Sequence, residues 1–175
     1  MSHKQIVDLC RDNDVWYLKM DIEIPEVCIE EAQAVYDEGF FVEHRFGNGG
    51  HGGWKSASIH SFVEKGKDLD MGWFHTKNPE GHGLREDQVD WGWTEIAEVC
   101  PETKRWLEDF PHKSYRRLRF MLLEPGASID AHNDASPQRV REGRIRNIAG
   151  AINIAFYQPD NCYLRRADTK EELPF

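Results

Sequence analysis

Cysteine is scarce in this chain. Four residues among 175, Cys10, Cys28, Cys100 and Cys162, lie far apart with no Cys-x-x-C pair, so no paired redox or metal motif is offered. With no secretory leader ahead of them, free thiols in a reducing, cytoplasmic setting are expected. Long apolar runs are missing too, and with them any stretch of membrane-spanning length; low-complexity tracts and internal repeats are equally absent. Basic charge is in deficit, with 22 Lys and Arg against 31 Asp and Glu and a formal net charge of −9. A field of that sign opposes nonspecific binding to nucleic acid or to an anionic membrane. The most glycine-dense segment, Phe46-Gly47-Asn48-Gly49-Gly50-His51-Gly52-Gly53-Trp54, lacks the Gly-Lys-Ser/Thr ending of a phosphate-cradling loop. It reads as a mobile connector, with a substrate lid as the sharper alternative.

What is present suffices for one good core. The length and a hydrophobic content of 39% point to a single domain over residues 1–175. Residues 1–112 are expected to mix strand, helix and loop, and residues 113–175 to supply core strands. Alternation over residues 15–24 predicts a first strand. Pro25 at a helix N1 position, acids Glu26, Glu30 and Glu31, an apolar face of Cys28, Ala32 and Val35, and Gly39 at the end predict a helix. Thr103, Trp106, Leu107 and Phe110 recur at helical spacing between Pro101 and the stop at Pro111. The rest of the chain up to Trp93 reads as loop-rich. Six tryptophans read as core or cavity lining, and the loop histidines His51, His75 and His82 as exposed. Tyr115 to Glu124 predicts a strand with Leu118, Phe120 and Leu122 on one face and Arg117, Arg119, Met121 and Leu123 on the other, closed by a turn at Pro125-Gly126. Arg146 to Tyr157 alternates again. The fold class is therefore mainly β with flanking helices.

The most informative stretch follows that turn: Ala127-Ser128-Ile129-Asp130-Ala131-His132-Asn133-Asp134. On a strand, residues i and i+2 project to the same side, so the His132 imidazole and the Asp134 carboxylate can chelate one ion. With one further histidine they make the facial triad of non-haem Fe(II) oxygenases. The structural alternative is a buried, hydrogen-bonded pair without metal. Arg139, Arg141, Arg144 and Arg146 lie within eight residues of one another. They read either as a solvated connector or as a receptor for a small dicarboxylate.

From about Trp91 to Phe156 the chain resembles the aspartyl/asparaginyl β-hydroxylase-like branch of the 2-oxoglutarate- and Fe(II)-dependent oxygenases. The resemblance is carried by Trp93-Thr94, Asp109-Phe110-Pro111, Tyr115-Arg116-Arg117-Leu118-Arg119, Pro125-Gly126, His132-x-Asp134, and Arg144-Ile145-Arg146 leading into Ile152-Asn153. It implies a double-stranded β-helix, a jelly-roll of the cupin-like kind. It further implies His132 and Asp134 as metal ligands and Arg146 as the cosubstrate contact. The implied activity is hydroxylation of an amino acid or peptidyl side chain of the Asp, Asn or Pro type, with 2-oxoglutarate converted to succinate and CO2. A small-molecule or peptide substrate is the expected partner. Two positions depart from the family pattern: Ile148 stands where members often carry histidine, and no histidine follows His132. The expectation is a jelly-roll lacking its last strands, whose unpaired edges favour self-association. The alternatives are an upstream third ligand, His82 or His112, and a binding module without turnover; a cupin-type metalloenzyme independent of 2-oxoglutarate is a further one.

Overall fold

The computed structural model describes residues 12, 19, 21–44, 52–67, 73–74, 77, 79–110, 116–129, 153–165 and 169–174. Two compact units divide the chain, one of Pro25–Asp130 and one of Met1–Ile24 with Ala131–Phe175. The described structure is mainly antiparallel β-sheet with helices added.

In the first unit the helix predicted after Pro25 is α1, Glu26–Asp37, with Cys28 and Val35 buried. Pro25 stands one position earlier than the sequence suggests, at the N-cap. There its fixed φ and missing N–H cost nothing, because the first N–H groups of a helix have no partner within it. Strand β1, Val42–Glu43, leads to β2, Trp54–Glu64. Next come 3-10 turns at Pro79–His82 and Glu86–Gln88, strand β3, Val89–Trp93, and the short helix α2, Ile96–Val99. Helix α3, Pro101–Asp109, and strand β4, Leu118–Leu123, complete the unit.

Strand β2 is the centre of the sheet. Lys55 and Ser56 pair with both β1 and β4, and His60 pairs with both β3 and β4. It follows that β1 and β3 lie in tandem along one edge and β4 along the other. Past the start of β4, Phe74 bridges Phe62 on the β4 edge. The backbone of β2 thus finds partners on both of its edges, as a buried strand requires. Residues 56–63 are all buried. The register against β4 shifts by one residue between Ser58 and His60. Thr94 fills that irregularity: its N–H donates to the Ile59 carbonyl at 2.9 Å, and its hydroxyl donates to the Ser58 carbonyl at 2.7 Å. A bulge leaves backbone groups out of the ladder, and here the residue that follows β3 recovers them.

A carboxylate from α1 joins the helices. The backbone N–H groups of Glu102 and Thr103 donate to Glu31 at 2.9 and 2.7 Å, and the Thr103 hydroxyl donates to the same carboxylate at 2.7 Å. Cys100 at the N-cap of α3 makes no side-chain cap, so Glu31 supplies the negative charge that a helix N-terminus favours. Burial pushes the neighbouring Cys100 thiol up to about 12 and the Cys28 thiol upward as well. Both are free, buried thiols, and the half-buried Cys162 is free too.

The turn expected after β4 is present. The Ala127 N–H donates to the Glu124 carbonyl at 2.9 Å, and Gly126 has φ of 80°, the conformation a turn of this kind requires of its third residue. In the second unit, β5, Tyr163–Arg165, pairs antiparallel with β6, Glu172–Pro174. The strand expected over residues 146–157 lies partly outside the described residues. Over 153–157 no regular strand is formed, yet the alternation survives: Ile154 and Phe156 are half-buried between exposed Asn153, Ala155 and Tyr157. The pattern governs burial there, but without a paired strand it makes no ladder. The first predicted strand, 15–24, is described at Lys19 and from Asp21 onward, where residues 21–24 are irregular.

Candidate functional site

The fold converges four separated segments on one ring, that of Phe62 in β2, which is fully buried. Phe74 lies 5.2 Å away between ring centroids, Trp91 of β3 lies 5.1 Å away, and His82 approaches edge-on at 5.9 Å. The His82 ring also lies 4.1 Å from Phe74. Over Phe62 sits the guanidinium of Arg117, 5.7 Å from the ring centroid, in the range of a cation–π contact. Trp73 closes down on Gly92 of β3. A Cβ at residue 92 would lie 3.0 Å from the Trp73 ring, so glycine is what admits the indole there.

Among the described residues, the charges that act on His82 are both cations, Lys77 and Arg117. The Arg117 Nη2 donates to the Lys77 carbonyl, and the Lys77 side chain runs along the 3-10 turn beside Gly81. Burial and the neighbouring Arg119 pull the Arg117 guanidinium down to about 10. Burial, with the charges of Lys77 and Arg117, holds the His82 imidazole below the usual histidine range. Desolvation lowers a cation's pKa, and neighbouring cations lower it further.

His60 is the second imidazole against these rings. Its Nδ1 hydrogen-bonds the Arg116 carbonyl, and its ring lies parallel to Trp91 at 6.3 Å and edge-on to Trp93 at 5.1 Å. Burial lowers its pKa, outweighing the opposite effect of the Arg116 carbonyl. A third imidazole, His44, is buried with Nδ1 2.9 Å from the Ser56 hydroxyl and its ring 4.2 Å from Trp54.

His132, Asp134, Arg146 and His112 lie outside the described residues. His82 is described: it is exposed at its turn, as the sequence suggests, but its ring is held by two phenylalanines. Its neighbours are cations, a setting that suits an anion better than a divalent metal. Among the described residues no group of three or more His, Cys, Asp or Glu could hold a metal ion. No described helix is long and apolar enough to cross a membrane.

In the sequence, Arg117 and Arg119 fall on a strand face with no role attached, and nothing marks His60. A faint signal for the arginines existed, because two guanidinium groups at strand spacing beside Leu118 and Phe120 oppose the usual exposure of charge. Comparison with family models, with curated proteins and with solved structures finds no match to this chain.

Proposed function

We propose that this protein is an Fe(II)- and 2-oxoglutarate-dependent dioxygenase of the aspartyl/asparaginyl β-hydroxylase-like kind, built on a jelly-roll and acting on an amino acid or peptidyl side chain. One observation carries the reading: strand β4 runs into the Pro125-Gly126 turn, and His132-x-Asp134 follows at once, ahead of the arginine-rich stretch to Arg146. The donor set suits the metal, since one imidazole and one carboxylate are two of the three ligands of the facial triad. His132 and Asp134 hold the ion in this reading. Arg146 holds a cosubstrate carboxylate through its planar fork of N–H donors. Bound together, Fe(II) and 2-oxoglutarate supply oxygen activation for C–H hydroxylation. The chain supplies position, through ligands two residues apart and a cation for the cosubstrate.

The test is succinate formation from 2-oxoglutarate by the 175-residue chain with Fe(II) and ascorbate under air, beside the His132→Ala variant. Turnover that disappears in the variant supports the reading. Calorimetry provides the second readout: unchanged Co(II) affinity in His132→Ala would remove His132 from the metal site.

A further inference from the structure

We propose that Arg117 and His82, gathered against the ring of Phe62, form with Lys77 beside them a receptor for a carboxylate group, made of residues other than Arg146 and independent of iron. The arginines differ in what they bond. Arg85 is paired with Asp87, Arg105 with Glu102, Arg116 with Glu86 and Arg165 with Glu172, and Lys55 with Glu124. Arg117 breaks the pattern. Its hydrogen bond goes to a neutral carbonyl, that of Lys77, and its Nε is buried without a partner among the described residues. In a chain of net charge −9, a half-buried arginine with no acid bonded to it among the described residues is the exception. A buried, unsatisfied donor costs free energy, and an arriving oxyanion recovers it.

The 3-10 turn at His82 and the approach to β4 at Arg117 meet over one ring, and the Lys77 carbonyl accepts from Arg117, so donors from two separated segments of the sequence share a small region. Phe62 and Phe74 form an apolar wall, which strengthens each charge-assisted hydrogen bond made beside it. A planar guanidinium beside two further donors matches a carboxylate, whose two oxygens accept parallel N–H groups. The groups that act on His82 are the cations Lys77 and Arg117 and the rings of Phe62 and Phe74. A bound carboxylate opposes those cations and raises the His82 pKa.

The experiment follows the His82 ring resonances by NMR in the full chain without Fe(II), so its outcome is independent of the oxygenase reading. Succinate is one probe, and the acidic peptide acetyl-Gly-Asp-Gly-amide the other, with acetyl-Gly-Asn-Gly-amide as the neutral control. A saturable shift with a rise in the His82 pKa is expected, and the tighter of the two probes tells a free dicarboxylate from an acidic side chain. Arg117→Gln is expected to weaken binding about tenfold or more and Lys77→Gln about threefold, the scale of a lost charge-assisted contact. If Arg117→Gln does not fold, Lys77→Gln decides alone, because Lys77 is exposed and its bond to Arg117 uses the backbone. His82 resonances unmoved by both acids, equal shifts with the asparagine peptide, or wild-type affinity in Lys77→Gln would overturn the proposal.

Discussion

Strands β2 and β5 are both paired antiparallel, and they are held by opposite means. β2 runs eleven residues with partners on both edges, and its interior positions are buried. Strand β5 has three residues, all exposed, and among the described residues it pairs with β6 alone. Around β2 several internal polar side chains find backbone carbonyls: Thr94 on the bulge carbonyls, His60 on the Arg116 carbonyl, Ser61 on the Phe74 carbonyl. Around β5 the contacts are those of a surface: Arg165 reaches Glu172 at 2.5 Å and lies 5.3 Å over the Tyr163 ring. A short exposed hairpin gains little from such pairs, because water screens the charges and the side chains lose freedom to make them. Pairing by itself does not confer stability here; burial on the central strand does.

The largest effect is expected at the hub. Phe62→Ala removes a fully buried ring that touches Phe74, Trp91 and His82, and a loss of about 3–5 kcal/mol in unfolding free energy is expected by denaturant titration. A loss below about 1 kcal/mol would mean that β2 is not the centre of the fold.

Next comes the helix joint. Glu31→Ala strips the carboxylate from two backbone N–H groups and one hydroxyl. A cost of about 1–3 kcal/mol is expected, the range for a capping or charge-assisted hydrogen bond. Thr103→Val keeps the backbone bonds and loses the hydroxyl, so it should cost less than Glu31→Ala in the same titration.

His60 adds a pH dependence of smaller size. Its folded pKa lies below the usual 6.5, so the unfolded chain binds the proton more readily. Stability is full above pH about 6.5 and falls as pH drops from there toward the folded value. His82, shifted in the same direction, adds to the slope. In His60→Gln the fall below pH of about 6.5 should be shallower than in the wild type; an identical slope would show that burial at His60 is not felt by the imidazole.

The smallest effect belongs to the hairpin. Glu172→Ala breaks the exposed Arg165 pair, and the unfolding midpoint of the whole chain is expected to stay within error of the wild type. A clear drop would put β5 and β6 on the same footing as β2 and end the contrast.

The sequence signals that held are those confined to one element. Helix α1 is legible from its acids, its apolar stripe and the closing Gly39, and α3 from Pro101 and the spacing of Thr103, Trp106 and Leu107. Strand β4 and its Pro125-Gly126 turn are legible from alternation and turn chemistry. Strand β2 is not, and its stretch reads as loop. It carries Ser56, Ser58, His60 and Ser61 in fully or nearly fully buried positions, so the hydrophobic alternation that marks a half-buried strand is missing. Three of these side chains find partners distant in sequence: Ser61 on Phe74, Ser56 on His44 and His60 on Arg116. For the same reason the cluster at Phe62 is invisible in the sequence: residues 62, 74, 82, 91 and 117 share no local pattern.

The sequence alone determined the acidic field, the β-rich class, the two longer helices and the strand and turn that precede His132-x-Asp134, because each rests on composition or on neighbours a few residues apart. The tertiary structure alone decided which strand is central, that Glu31 caps a helix seventy-one residues onward, and that Arg117 comes to rest on Phe62 with a carbonyl as its hydrogen-bond partner. Those outcomes depend on side chains meeting across long loops. Their energies come from burial and from the satisfaction of buried polar groups, and no window of sequence encodes either.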